Sequence, residues 1–206
     1  MSVFPRMAEI LPEGESRGAR VYHTTFDEEA ARRASWVGGR YVPTAPGTYA
    51  SLLVRTESGQ PECMMSDLAY ERTTCLEVVQ RAHGNVLIAG LGLGMILHPI
   101  VKQPGVRHVT VVEKYQDVVD LIGPTLPRSD ALAVVVGDIF EWRPPTGSRY
   151  DVIWFDIWPD VAPSRLEEMA GLHRRFAPYL NRRNPRCWMD SWHREETRRI
   201  RAAAHR

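Results

Sequence analysis

The sequence lacks most of the features that reveal a function at sight. No uninterrupted apolar stretch approaches the ~20 residues that a membrane-crossing helix requires, so no membrane segment is expected. Cys63, Cys75 and Cys187 stand far apart and fit neither a paired disulfide framework nor a CxxC knuckle; they are expected as free thiols in or near the core. The seven histidines show no HxxxH or HExxH spacing, which argues against a metal site. No serine occupies a G-x-S-x-G elbow, which argues against a hydrolase. Met1 to Gly14 lack the apolar core and cleavage site of a secretory leader, making the cytoplasm the expected compartment. Repeats and low-complexity tracts are missing too.

Charge of one sign is scarce overall but not locally. The formal net charge is only +1, yet Gly171 to Arg206 hold ten arginines against Asp190, Glu195 and Glu196, a local +7 that leaves −6 for the residues before them. Such a tail reads either as a solvated helix face, its arginines set beside Glu195 and Glu196, or as an electrostatic footprint for nucleic acid or another acidic partner.

What is present has the size of one α/β domain with a modest appendage: 206 residues, 44% hydrophobic and 25% charged. Residues 1–45 are punctuated by glycine and proline and read as an N-terminal arm or lid, with one helical candidate from Phe26 to Trp36. Residues 46–66 read as a β-hairpin, Ala50–Arg55 and Glu62–Met65, turning at Ser58-Gly59. Residues 67–206 form the main domain, opened by a helix over 68–82 with Asp67 as its cap and Gly84 as its stop. Strands are then expected over 86–89, 109–113, 132–136, 151–155 and 186–190, with helices over 94–102, 115–122 and 164–180; Pro99 sits awkwardly in the first of these helices. Near-continuous apolar strands separated by helices imply a doubly wound, mostly parallel sheet covered on both faces.

Such a sheet binds ligands across the carboxyl ends of its strands. Gly90, Leu91, Gly92 and Gly94 follow the first strand, Glu113 and Lys114 close the second, Asp138 and Ile139 follow the third, and Asp156 closes the fourth. Glycines let a backbone approach a ligand closely, and an acid after the second strand can hold two ribose hydroxyls. Met95 stands where G-x-G-x-x-G would have its last glycine, which disfavours a dinucleotide and favours a phosphate-free nucleoside cofactor.

From Asp67 to about Asp160 these motifs resemble the class I S-adenosylmethionine-dependent methyltransferase superfamily, and within it the spermidine synthase-like branch. Gly90-Leu91-Gly92-Leu93-Gly94 resembles the first motif, Glu113 the ribose-binding acid, Gly137-Asp138 the adenine-side acid, and Tyr150 to Asp156 the strand-four motif. The resemblance implies a Rossmann-like fold, here shortened at its C-terminal side, and S-adenosylmethionine as cofactor. The chain departs from spermidine synthases in having Ile157-Trp158-Pro159-Asp160 after Asp156 and Tyr115 in place of a second acid.

The expected activity is methyl transfer to a small-molecule acceptor. Asp156 is the candidate base, Asp160 and Tyr70 are further catalytic candidates, and Trp158 is expected to wall the acceptor pocket or simply to pack. Asp160 has a second reading as a helix cap near Pro163-Ser164. Rival readings are aminopropyl or aminocarboxypropyl transfer, intramolecular cyclisation or elimination releasing methylthioadenosine, an NAD-dependent oxidoreductase, and a non-catalytic module binding nucleic acid or protein. Trp36 and Trp192 would anchor a homodimer if uncovered.

Overall fold

The computed structural model describes residues 3–56 and 59–204. In chain order its elements are α1 (Met7–Ile10), β1 (Gly14–Ser16), β2 (Ala19–Phe26), α2 (Glu28–Ala34), β3 (Trp36–Val37), β4 (Arg40–Tyr41), β5 (Gly47–Arg55) and β6 (Pro61–Ser66). There follow α3 (Ala69–Thr74), α4 (Leu76–Arg81), β7 (Gly84–Ala89), α5 (Leu97–Ile100), β8 (Val106–Glu113), α6 (Gln116–Ile122), β9 (Leu132–Val136), β10 (Val152–Phe155), α7 (Arg165–Phe176), β11 (Trp188–Ser191) and α8 (Arg194–Ala204). These elements cluster into two compact units, one of Met1–Val79, Gly92–Pro99 and Gln116–Pro127, the other of Gln80–Leu91, Ile100–Tyr115 and Arg128–Arg206.

The second unit is a doubly wound, Rossmann-like α/β fold. Five strands, all parallel, lie in the order β11-β10-β7-β8-β9, so the order reverses between β7 and β10. Val86 to Ala89 and Val152 to Phe155 are buried end to end, as strands covered on both faces must be. Met169, Leu172 and Phe176 place one stripe of α7 on this sheet, joining Leu87, Ile153 and Phe155 in the core. The sequence places the five strands well; the last begins two residues later than expected. Among the described residues no strand follows β11, and the chain proceeds into α8.

The first unit holds a four-stranded antiparallel sheet, β1-β2-β5-β6. Here the sequence reading needs correction, because the stretch taken as irregular contains β2, paired with β5 from Ala19↔Val54 to Phe26↔Gly47. Its signal is weak: only Ala19 and Val21 of its residues are fully covered, and His23, Thr24 and Thr25 read as polar coil. The helix expected from Phe26 spans only Glu28–Ala34, where Asp27 caps it by accepting from Ala30 N–H. The hairpin of β5 and β6 is present, although Ser58 of its expected turn lies outside the described residues. β3 and β4 meet at Gly38-Gly39, both at positive φ, as a tight two-residue hairpin demands. Trp36 stays 62% exposed there, its ring tilted against that of Tyr41, whereas Trp192 is buried at 6%.

The helix expected over 68–82 breaks at Cys75 into α3 and α4, and Asp67 does not cap it. The Asp67 carboxylate is fully buried and accepts from Met7 N–H and Ala50 N–H at 2.8 Å each and from Arg72 Nη2 at 2.9 Å, binding α1, β5 and α3 to one another. Two other helices shrink. The one expected over 94–102 is the single turn Leu97–Ile100, where Pro99 leaves little room for more, and the one over 164–180 ends at Phe176 in a short 3-10 turn. Cys75 is buried and Cys187 partly so, but Cys63 is exposed, against the expectation for it. Among the described residues no helix is long and apolar enough to cross a membrane, and no group of His, Cys, Asp or Glu could hold a metal ion.

Candidate functional site

The acids of the sequence motif converge because adjacent parallel strands end at the same edge. β7 ends before Gly90, β8 ends on Glu113, β9 ends before Gly137-Asp138, and β10 ends before Asp156. Three hydrogen bonds continue the ladder past the strands: Gly90 N–H to Val112 O, Gly137 N–H to Glu113 O and Asp156 N–H to Ala89 O. Glu113, Lys114, Asp138 and Asp156 therefore share one edge of the second unit, with Leu91 at the start of the glycine loop.

Gly90 is required by close approach. With φ at +96°, a Cβ there would sit on the Asp156 carbonyl oxygen, so the β7 and β10 ends can close up only around a glycine. Gly92 and Gly94, which cluster in the first unit, are likewise accounted for by protein contacts. A Cβ on Gly92 would lie 2.5 Å from Met65 Sδ, and one on Gly94 2.6 Å from Leu126 Cδ2. Met65 also takes Leu93 N–H at 3.4 Å. It reaches there because β6 carries a bulge: Leu52 pairs with Met65 but Leu53 pairs with Cys63, leaving Met64 extra. Sequence reading passed over Met65, whose only signal was its place in a hairpin.

Glu113 is 6% exposed, and its carboxylate is turned onto its own loops. Oε2 accepts from Leu91 N–H at 2.7 Å and Oε1 from Tyr115 N–H at 2.9 Å. Burial pushes its pKa up, against the opposing effect of the N–H donors of Tyr115, Leu91 and Lys114. Asp138 accepts from Phe140 N–H at 2.9 Å through Oδ1, while its Oδ2 lies 3.3 Å from Lys114 Nζ, an ion pair across neighbouring strand ends. Ile139 points inward, 4% exposed, in the core. Arg175 of α7 donates to the carbonyls of Ile139, Phe140 and Trp142 and so fixes the loop that carries Asp138; as one arginine among ten in its region it gave no sequence signal.

Asp156 has the most unusual electrostatics at this edge. Its only hydrogen-bond donor among the described side chains is Trp154 Nε1, at 3.4 Å. Burial raises its pKa from 3.8 to about 6. A carboxyl group with that value changes charge just below neutrality and can accept a proton at physiological pH.

The other candidates fall elsewhere. Trp158 is a core residue, which corrects the acceptor-wall reading: it is 5% exposed, packed with Met169 and Leu172, and its Nε1 donates to Glu168 at 2.8 Å. Asp160 does not cap α7; it accepts from Arg165 Nε at 3.0 Å, and the residue at the cap position, Ser164, makes no side-chain cap bond. Tyr70 lies on α3 of the first unit, half-buried.

No protein-family profile matches the sequence, and no curated protein sequence matches it. Solved structures that align with it include the plantazolicin methyltransferase BpumL in complex with SAH, at 17% identity and TM-score 0.39 over 52% of this chain and 41% of that one. The N-methyltransferase NodS from Bradyrhizobium japonicum WM9 in complex with S-adenosyl-L-homocysteine aligns at 17% identity and TM-score 0.35, over 41% and 44%. The CcbJ methyltransferase from Streptomyces caelestis aligns at 22% identity and TM-score 0.40, over 52% and 43%. The chain spans under half the length of each of these proteins.

Proposed function

We propose that this chain is an S-adenosylmethionine-dependent transferase that passes a methyl group to a small-molecule acceptor. The observation that carries the proposal is the row of acids at successive ends of a parallel sheet, Glu113, Asp138 and Asp156, beside the point where strand order reverses. The donor set fits a nucleoside. The Glu113 carboxylate has four lone pairs and accepts from the N–H groups of Leu91, Tyr115 and Lys114, which leaves one for a sugar hydroxyl. Asp138, steadied by Lys114, would accept from an exocyclic amine.

When bound, the cofactor would supply an alkyl group already activated by its sulfonium. The protein's share is to hold the acceptor in line, exclude water and take the acceptor's proton on Asp156 if the nucleophile carries one. Positioning of that kind can lower a barrier by ~7–11 kcal/mol. Asp160 would act on the acceptor only by giving up its ion pair with Arg165. A spermidine synthase-like origin remains part of the proposal through the motifs named above.

Glu113→Ala is expected to weaken S-adenosylmethionine binding more than tenfold in titration calorimetry, with an unchanged circular dichroism spectrum. An unaltered affinity would remove the cofactor assignment. Incubation with S-adenosylmethionine and candidate amines or thiols, followed by mass analysis, should give S-adenosylhomocysteine. Methylthioadenosine formed without any acceptor would instead establish the intramolecular reaction.

A further inference from the structure

The opposite edge of the same sheet has the reverse charge. Every strand of the second unit is entered through a turn at its amino end, and those five turns are tied together. Gly84 N–H donates to Gly105 O, Asn184 Nδ2 is 2.8 Å from His83 Nε2, Val109 N–H donates to Ala131 O, and Asp151 receives donors from Asn85 and Arg107 at the starts of β7 and β8 and from Asn181 and Asn184 in the turn before β11. Arg107, at the second position of β8, and Arg128, Arg149, Arg182, Arg183 and Arg186 of the turns line this edge, all exposed. The turns' only acids are Asp130 and the buried Asp151, whose oxygens are already saturated by donors. Among the described residues Arg149, Arg182, Arg183 and Arg186 form no ion pair. Three of the four α8 arginines differ in this respect: Arg194 pairs with Asp190, and Arg198 and Arg199 with Glu195.

We propose that this amino-end edge is a nucleic-acid-binding surface that reads the phosphodiester backbone. Neighbouring strands are ~4.8 Å apart, so the edge of five is about 19 Å wide. A duplex presents one negative charge per ~1.7 Å of its axis, enough to engage all the unpaired guanidinium groups at once. Arginine's planar fork suits phosphate oxygens, and clustered cations with few neighbouring acids raise the local anion concentration. The acids Glu113, Asp138 and Asp156 at the far edge repel the same ligand, so the charge polarity of the sheet fixes the docking side. The surface relocates the electrostatic footprint from the C-terminal helix to the strand-entry turns, half of whose arginines lie outside the tail. It does not depend on the cofactor assignment.

The test is fluorescence anisotropy of a labelled 20-base-pair DNA duplex and a labelled 20-nucleotide RNA with the full chain, in 50 to 200 mM KCl. For about six phosphate contacts, log K against log salt should fall with a slope near −5 for the duplex, or near −4 for the single strand. The combined charge reversal Arg149→Glu, Arg182→Glu and Arg183→Glu should cost more than 20-fold at 50 mM and make the slope shallower by about three. The neutral set Arg149→Gln, Arg182→Gln and Arg183→Gln should give a smaller loss in the same direction and guards against a folding defect. Arg194→Glu with Arg198→Glu should leave binding within threefold. Binding of either nucleic acid with this pattern supports the surface. No binding by the wild type at 50 mM, or a loss confined to the α8 pair, overturns it.

Discussion

Asp151→Ala is expected to lower the melting temperature by about 10 °C, from loss of roughly 3–5 kcal/mol when a buried, fully engaged carboxylate is removed and its donors are stranded. The Asp151 side chain is almost completely buried at the start of β10. Oδ2 accepts from Asn85 N–H and Arg107 Nη2 at 2.9 Å each, and Oδ1 from Asn181 Nδ2 at 2.7 Å and Asn184 Nδ2 at 2.8 Å. A Cβ on Gly84 would collide with this carboxylate, which is why β7 must begin on a glycine at positive φ. Asp151→Asn should do little better than alanine, because both oxygens face donors and the amide nitrogen would meet one of them whichever way it turned. Burial alone would raise the pKa of Asp151, yet the donors from Asn184, Asn85 and Asn181 and the Arg107 charge more than offset it and hold the group below its usual value. Its folded pKa is thus depressed: the stabilisation is present above pH 3.8 and is lost as pH falls through the lower folded value. Differential scanning calorimetry of wild type and variant at pH 7 and pH 3 checks both parts, since the gap between them should narrow in acid. A variant melting within 2 °C of wild type at pH 7 would show that the network is ornamental.

Asp156→Asn should produce the second large effect, and in opposite directions for activity and stability. The wild-type carboxyl has its pKa raised to about 6 by burial. Above that pH it is charged in a site that disfavours charge, so the raised folded pKa makes its contribution greatest below pH 3.8 and progressively lost as pH rises through 6. The shift corresponds to about 3 kcal/mol at most. The asparagine variant avoids this cost and should be the more stable protein at pH 8. His173 opposes the trend: its Nε2 meets Ser191 Oγ at 2.9 Å, its ring packs on Phe155, and burial, with the nearby Arg194 charge, lowers its pKa to about 4. A depressed histidine loses its contribution as pH falls below 6.5 toward 4, again about 3 kcal/mol. The two slopes nearly cancel in the wild type between pH 4 and 6. Asp156→Asn should therefore expose the histidine slope, with stability rising by about 2 kcal/mol over that interval in urea titrations. If Asp156 accepts the acceptor's proton, turnover should fall ~10²–10⁴-fold, and the wild-type rate should rise with pH through about 6. A variant no more stable at pH 8 and no slower would deny Asp156 both roles.

The sequence made the second unit legible because a strand buried on two faces writes its burial directly into composition. Val86 to Ala89, Val109 to Val112 and Val152 to Phe155 could hardly be anything else, and the acids beyond them were found by position alone. Long-range commitments were not legible. Asp67 looks like a helix cap because it precedes one, yet its partners Met7 and Ala50 are 60 and 17 residues away. Asp151 passes for the first residue of a strand motif, although a carboxylate directly before Val152-Ile153-Trp154-Phe155 is an anomaly that only a buried network explains. The glycine loop shows the converse: three glycines suggested room for a ligand, while Asp156, Met65 and Leu126 already use most of that room. β2 escaped notice because few of its side chains are wholly covered, so no apolar alternation betrays it.

The cysteine distribution turns the chain into its own reporter. With Cys75 sealed and Cys187 half-covered, a maleimide dye will attach first at Cys63, on β6 and two positions from Met65. Dye emission at that position would register movement of the methionine off Gly92, followed by stopped flow in the native sequence with no engineered label site.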